Sequence, residues 1–219
     1  MAYQHQFDDG RTVDWPLGKV VCIGRNYAAH AAELNNPIPT TPLLFIKPAS
    51  AVVNMAEPFR IPRDLGEVHF ETELAILIGQ PLTCADEAQA AEAIAGVGLG
   101  LDLTLRDLQD ALKKAGQPWE KAKSFDGACP LSSFVSPDTI NLTDCQIRLQ
   151  VNGERRQDGN SSQMLTSVLE LLSYASRFFT LNPGDVVLTG TPAGVGPVRP
   201  DDQLVVELAD QLRVETRAC

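Results

Sequence analysis

The chain has 219 residues, 44% of them hydrophobic and 21% charged, the balance of an ordinary soluble globular protein with enough length to bury a substantial core. A net charge of −10 and an isoelectric point near 4.7 argue against nucleic acid or an anionic membrane as the main partner. Five scattered cysteines without a CxxC pair (Cys22, Cys84, Cys129, Cys145, Cys219), no signal-peptide pattern at the N-terminus and no apolar run long enough to span a bilayer point to a cytoplasmic protein with reduced thiols.

Residues 1–18 read as an irregular leader and 19–24 as a short apolar strand ending at Gly24. An alanine-rich helix is predicted over 25–34, with Asn26 at its N-cap. Asn26, His30 and Glu33 then fall on one face. A carboxylate three residues beyond a histidine can orient the imidazole as a general base, although an exposed pair on a surface helix has the same spacing. Three prolines make 35–42 a loop, and 43–48 is a buried strand with Lys47 near its end.

The run 67–79 begins with polar–apolar alternation and finishes as a solid apolar strand. Period-two alternation points Glu71 and Glu73 to the same side. Two like charges beside a buried strand repel and are costly to desolvate, so a positive partner is expected. A divalent cation meets that need, with Asp102 as the candidate third ligand. On spacing alone, a solvated edge strand is the alternative.

A helix capped by Asp86 follows over 86–95. The glycines of 96–104 miss dinucleotide-loop spacing, because Leu101 stands where the third would be and a helix precedes them. They suit a tightly packed strand ending at Asp102. Thr104 is the expected cap of a helix over 105–114, with Asp107 completing a weak capping box. Arg106 and Gln109 on that helix lie near Asp102, where a guanidinium and an amide can hold a carboxylate. Cys129 reads as a buried thiol rather than a nucleophile.

Beyond residue 138 the chain turns β-rich. Asn152-Gly153 marks a hairpin, and 164–179 forms an amphipathic helix with Val168, Leu171, Leu172, Ala175 and Phe178 on its apolar side. The strand 186–188 enters the Gly/Thr loop 189–197, which lacks a P-loop pattern but can offer amides and hydroxyls to an anion. Strands over 204–208 and 212–216 close the chain. With no repeat, linker or low-complexity segment, residues 1–219 are expected to form a single domain, the leader packed on it.

Taken in order, Gly24-Arg25-Asn26-Tyr27 with His30 and Glu33, Phe45-Ile46-Lys47-Pro48, Glu71-Thr72-Glu73-Leu74, Asp102 to Gln109, Lys123-Ser124-Phe125-Asp126, Val151-Asn152-Gly153-Glu154 and Pro183 to Gly196 resemble the fumarylacetoacetate hydrolase family. The length is similar to that of its short members, close to the acylpyruvate hydrolases and oxaloacetate decarboxylases. The resemblance implies an α+β, mainly β fold, a mixed-sheet roll with a few short helices, and a homodimer. It implies magnesium or manganese on Glu71, Glu73 and Asp102, a catalytic His30–Glu33 dyad assisted by Lys123, and a 2-oxo acid held by Arg106 and Gln109. Arg25, Asn26, Gly190 and Thr191 are further substrate-contact candidates. The chain departs from many members after Pro130, where Ser132-Ser133 replaces Gly-Pro.

Three carboxylates without a soft ligand suit a hard ion that acts as a Lewis acid. The expected reaction is carbon–carbon hydrolysis of an acylpyruvate to pyruvate and a carboxylic acid, His30 activating water. Oxaloacetate decarboxylation and isomerisation of a 2-hydroxyhepta-2,4-diene-1,7-dioate could use the same site. A 2-oxo acid binding protein without catalysis is the non-enzymatic alternative.

Overall fold

A computed structural model describes residues 3–219. The first half contains β1 (Lys19–Gly24), α1 (Ala28–Glu33), β2 (Leu43–Pro48), β3 (Val52–Asn54), β4 (Val68–Phe70), β5 (Thr72–Ile78), α2 (Glu87–Ala93), β6 (Ile94–Leu101), β7 (Thr104–Leu105) and α3 (Arg106–Ala115). The second contains α4 (Glu120–Lys123), β8 (Cys129–Val135), β9 (Gln146–Val151), β10 (Glu154–Asn160), α5 (Val168–Ser176), β11 (Val186–Leu188), β12 (Gly196–Pro197), β13 (Gln203–Leu208) and β14 (Leu212–Arg217). The fold is mainly β with a few short helices, as the resemblance implies.

Seven strands in the order β2-β1-β11-β5-β6-β8-β3 build the large sheet. It is mixed, since β1–β11 and β3–β8 pair in parallel and the remaining neighbours antiparallel. An antiparallel sheet β10-β9-β13-β14 and a small one, β12-β4-β7, complete the architecture. All seven residues of β5 are buried, because both its faces are covered. Apolar side chains from Phe7 to Ala218 join one buried cluster.

The break between β4 and β5 places the site. β4 pairs with β7 and β12, whereas β5 pairs with β6 and β11. The chain therefore changes sheets at Glu71, beside the end of β6, where the Asp102 amide donates to the Glu71 carbonyl at 2.8 Å.

Several local predictions hold. Asp86 caps α2 with a complete capping box to Gln89, and a Cβ on Gly98 would lie 2.8 Å from the Ser133 carbonyl, the close approach expected of the glycine-rich strand. Asn152-Gly153 turns the β9–β10 hairpin. The Ser132 hydroxyl accepts from the Leu99 amide at 2.8 Å, bridging the register shift between β6 and β8. The leader packs on the body through His5, whose ring meets the Gly184 carbonyl at 2.9 Å, and through Phe7. Among the described residues no helix is long and apolar enough to cross a membrane.

Other predictions require correction. α1 begins at Ala28, not Arg25, because Arg25 takes a left-handed φ of 60° and Tyr27 occupies the N-cap. Thr104 does not cap α3; its hydroxyl donates to the Asp102 carbonyl, and Leu105 is the N-cap. The helix predicted over 164–179 spans only Val168–Ser176, started by a Ser167–Glu170 capping box, and Phe178 lies beyond it, 61% exposed.

Asp185 ties the leading edge of the sheet together. Its buried carboxylate accepts from the amides of Lys19 (2.9 Å) and Asn182 (2.8 Å) and pairs with the Lys19 ammonium. Asp185→Ala strands these donors and should lower unfolding free energy by about 2–4 kcal/mol in urea titration. A change below about 0.5 kcal/mol would show that water replaces the carboxylate.

Candidate active site

Glu71, Glu73 and Asp102 each place a carboxylate oxygen within 4.8 Å of the others, and all three are buried. The strand alternation around Thr72 turns both glutamates inward, and the end of β6 delivers Asp102 between them. Three cations surround the cluster. Lys123 donates to Glu71 at 2.8 Å and to Asp102 at 2.7 Å, and Arg106 pairs with Glu71. Lys47, fully buried, stands 2.8 Å from Asp102 Oδ1. Its ammonium also donates to the carbonyls of Leu103, Lys123 and Ala128.

The cations are unevenly shared. Burial alone would raise the Glu71 carboxyl, but Lys123 and Arg106 overcome it and hold it well below the usual range. Glu73 receives a hydrogen bond from the Gly190 amide at 2.7 Å and no ion pair from the described residues. Burial, reinforced by the charges of Asp102 and Glu71, raises its carboxyl well above the usual range. At an effective dielectric near 20, each like-charge contact at this separation costs about 3–4 kcal/mol. A Glu73 carboxylate without an ion pair among the described residues, in an all-oxygen set of three buried carboxylates, fits a hard divalent cation.

His30 is buried on α1, with Nδ1 3.4 Å from Glu33 Oε2. Glu33 is itself held by the Gly194 amide, 3.1 Å from Oε1 and 3.2 Å from Oε2. Burial lowers the His30 pKa, against the opposing pull of Glu71 and Glu33, and so favours the neutral imidazole. The other ring nitrogen is left for a ligand in the cleft.

One cleft brings Arg25, His30, Glu71, Glu73, Asp102, Arg106, Gln109, Lys123 and Thr191 together. Gln109 gives its oxygen to Arg106 at 2.8 Å, and Arg106 Nε is a buried donor without a protein partner. Three of the predicted residues stand behind the wall. Glu33 orients His30. Asn26 turns its side chain to the backbone, its amide bonding the carbonyls of Thr166 (3.0 Å) and Thr189 (2.9 Å) and its oxygen accepting from the Thr166 amide. Gly190 spends its amide on Glu73; its φ of 95° requires glycine there, and any Cβ would lie only 2.7 Å from Asn26 Cβ. Thr191 lines the cleft, but its hydroxyl donates to the Thr72 carbonyl at 2.9 Å. His69 pairs with Glu67 at 2.9 Å rather than entering the site. Burial raises the Cys129 thiol to about 12, as befits an inert thiol.

Sequence reasoning left Lys47 and Gln157 without a role. A lysine inside an otherwise apolar strand was the available signal for Lys47. Gln157 gave none, lying in a hydrophilic run that reads as an exposed strand.

Residues 19–218 match the family described as fumarylacetoacetate (FAA) hydrolase C-terminal. The oxaloacetate tautomerase YcgM of Escherichia coli (strain K12) is 51% identical over 209 residues, covering 93% of this chain and 94% of the relative. The mitochondrial oxaloacetate tautomerase FAHD1 of Homo sapiens is 42% identical over 192 residues, 87% of each chain. Among solved structures, a family protein from Yersinia pestis CO92 superposes with a TM-score of 0.97 at 50% identity, covering 99% of this chain and 100% of the other. Fumarylpyruvate hydrolase from Pseudomonas aeruginosa, in complex with Mn2+ and pyruvate, gives 0.91 at 36% identity, covering 99% and 95%. The chain belongs to the fumarylacetoacetate hydrolase family. It is an enzyme of the group acting on ketonic substrates.

The charge imbalance at Glu73 generates a test. Because the folded chain binds the Glu73 proton more tightly than the unfolded chain, metal-free stability should fall as pH rises above the ordinary value of 4.5 toward the raised one. Glu73→Gln should flatten this part of the profile and stabilise the metal-free protein, yet abolish the rise in melting temperature that Mn2+ gives the parent. A variant that retains the full Mn2+ shift would remove Glu73 from the ligand set.

Proposed function

We propose that the chain is a divalent-metal-dependent enzyme for small 2-oxo dicarboxylates and that its principal reaction is keto–enol tautomerisation of oxaloacetate. The observation that carries the reading is one buried imidazole, His30, held by Glu33 beside the carboxylate cluster. Tautomerisation moves one proton between C3 and the C2 oxygen of a single molecule. It needs one positioned base and neither a water nucleophile nor a leaving group. Identity of 42–51% to oxaloacetate tautomerases along most of their length supports the same reading.

Glu71, Glu73 and Asp102 would hold Mg2+ or Mn2+, which supplies Lewis-acid stabilisation of the negative charge that develops on the oxo acid. Arg106 and Gln109, which both line the cleft, fix the carboxylate next to the keto group. His30 takes the C3 proton, Glu33 steadies the imidazolium, and a proton returns to the C2 oxygen, so that no co-reactant is consumed. Lys123 adds positive charge beside that oxygen. Arg25 takes the distal carboxylate. It lines the cleft, has no ion pair among the described residues, and sits in a left-handed conformation that a non-glycine residue adopts only when its surroundings impose it. Lys113, at the same rim, carries the imprint of the crowding: burial first, then the charges of Arg106 and Arg25, lower its pKa against Asp110.

A second reading, hydrolysis of acylpyruvates, draws on the same dyad with water as the proton donor, and on the likeness to the Pseudomonas hydrolase. Enol absorbance of oxaloacetate, followed with Mn2+ present, separates the two when acetylpyruvate and fumarylpyruvate are assayed alongside and pyruvate release is measured. Tautomerisation should be the fastest reaction; faster cleavage of an acylpyruvate would make hydrolysis the principal activity. His30→Asn should lower the tautomerisation rate by about 10²-fold or more while keeping Mn2+ affinity. The acid limb of the wild-type rate should lie below pH 6.5, activity falling as pH drops and His30 protonates. Wild-type turnover by His30→Asn would reject His30 as the base.

A further inference from the structure

The sheet change at Glu71 leaves a backbone problem whose solution reaches the active site. β11 ends its pairing with β5 at Leu188–Ala75, and the Thr189 amide makes one last bond to the Leu74 carbonyl at 3.2 Å. Beyond it the chain turns off into the Gly/Thr loop, so Thr72, the residue between the two glutamates, has no strand partner on that side. Its amide and carbonyl would be orphaned in the interior, at a cost of about 1–3 kcal/mol each.

Gln157 fills the gap. It is fully buried on β10, at a register shift that places Gln157 opposite Leu149. Its side-chain oxygen accepts from the Thr72 amide at 3.0 Å. Its nitrogen donates to the Thr191 hydroxyl at 2.8 Å and to the Pro192 carbonyl at 2.9 Å. The Thr191 hydroxyl in turn donates to the Thr72 carbonyl at 2.9 Å. The ring is closed: Thr72 amide, Gln157, Thr191, Thr72 carbonyl. Every polar atom of the Gln157 side chain and of the Thr72 backbone on this side is engaged.

We infer that Gln157 and Thr191 are positioning residues that clamp Thr72 so that Glu71 and Glu73 present their carboxylates together to a divalent cation. The inference rests on the metal reading of the cluster. Rotation of the clamped residue's backbone would swing one glutamate away from the other, since the two lie on either side of it. The clamp also gives Thr191 a role other than substrate contact, and it couples the four-stranded antiparallel sheet to the reacting centre through one amide side chain.

The test is Mn2+ affinity by isothermal titration calorimetry, with melting temperature measured on the same metal-free samples. Gln157→Met keeps the volume and removes every polar bond. It should weaken Mn2+ binding by about 10–100-fold, the usual cost of losing a group that orients a metal ligand. Thr191→Val should weaken it comparably, whereas Thr191→Ser, which restores the hydroxyl, should return affinity to within about threefold of the parent. At saturating Mn2+ the variants should recover most of the turnover they lose at low metal. If Gln157→Met does not fold, the Thr191→Val and Thr191→Ser pair decides. Lower melting temperatures with unchanged Mn2+ affinity would overturn the clamp and leave the metal reading standing. Failure of the wild-type protein to bind Mn2+ would overturn the metal reading, and the clamp with it.

Discussion

The structure turns on six buried charges packed into one place: Glu71, Glu73 and Asp102 against Lys47, Arg106 and Lys123. Removing any of these groups from water costs several kcal/mol, and a buried pair recovers that cost only with good geometry and full hydrogen bonding. Glu71 meets the condition, between Lys123 and Arg106. Asp102 meets it between Lys123 and Lys47, whereas Glu73 has the Gly190 amide and no ion pair among the described residues. A hydrophobic core of this size could readily have been filled by apolar side chains. An incompletely paired cluster at its centre is a cost borne for chemistry.

The fold is arranged to keep that cluster rigid. β5 runs through the middle of the large sheet, with both neighbours paired and every residue buried, so its carboxylate end has little freedom. At Glu71 the chain leaves one sheet for another, which frees the two glutamates to face a cavity instead of a neighbouring strand. Lys47 then binds three separate carbonyls, from Leu103, Lys123 and Ala128. It joins the turn after Asp102, the end of α4 and the start of β8 in one polar knot. The fully buried ammonium thus fixes both Asp102 and Lys123 from behind, without itself lining the cleft.

The parts of this arrangement that were legible in the sequence were those governed by local periodicity. Period two put Glu71 and Glu73 on one side whatever their surroundings. The Asp86 capping box formed because helix α2 is exposed and no tertiary partner competes for the aspartate. Asn26 and Thr104 have equally good capping chemistry and cap nothing. Asn26 is drawn into three bonds with backbone far along the chain, at Thr166 and Thr189, and Thr104 is fully buried against the Asp102 carbonyl. Ordered motif resemblance, rather than spacing, brought His30 and Lys123 to the carboxylates, because loops and whole strands separate them in the chain. Gln157 escaped both routes. Its burial depends on a register shift in β10 and on a gap left by β11, neither of which the residues around it encode.

Charge balance links the cluster to its ligand. The three carboxylates and three cations sum to zero, so the divalent ion proposed at Glu71, Glu73 and Asp102 would leave the centre at +2 within a protein of net charge −10. Arg25 and Lys113 extend the positive region to the rim of the cleft. A neutral or monoanionic molecule would leave buried positive charge uncompensated, whereas a dianion closes the balance and is drawn inward past an otherwise repelling surface. Two carboxylates on one short 2-oxo acid satisfy this requirement with the least volume. The same balance bears on His30: beside a centre made positive by the proposed metal, a protonated imidazole would add to the charge, which agrees in direction with the lowering that burial gives its pKa.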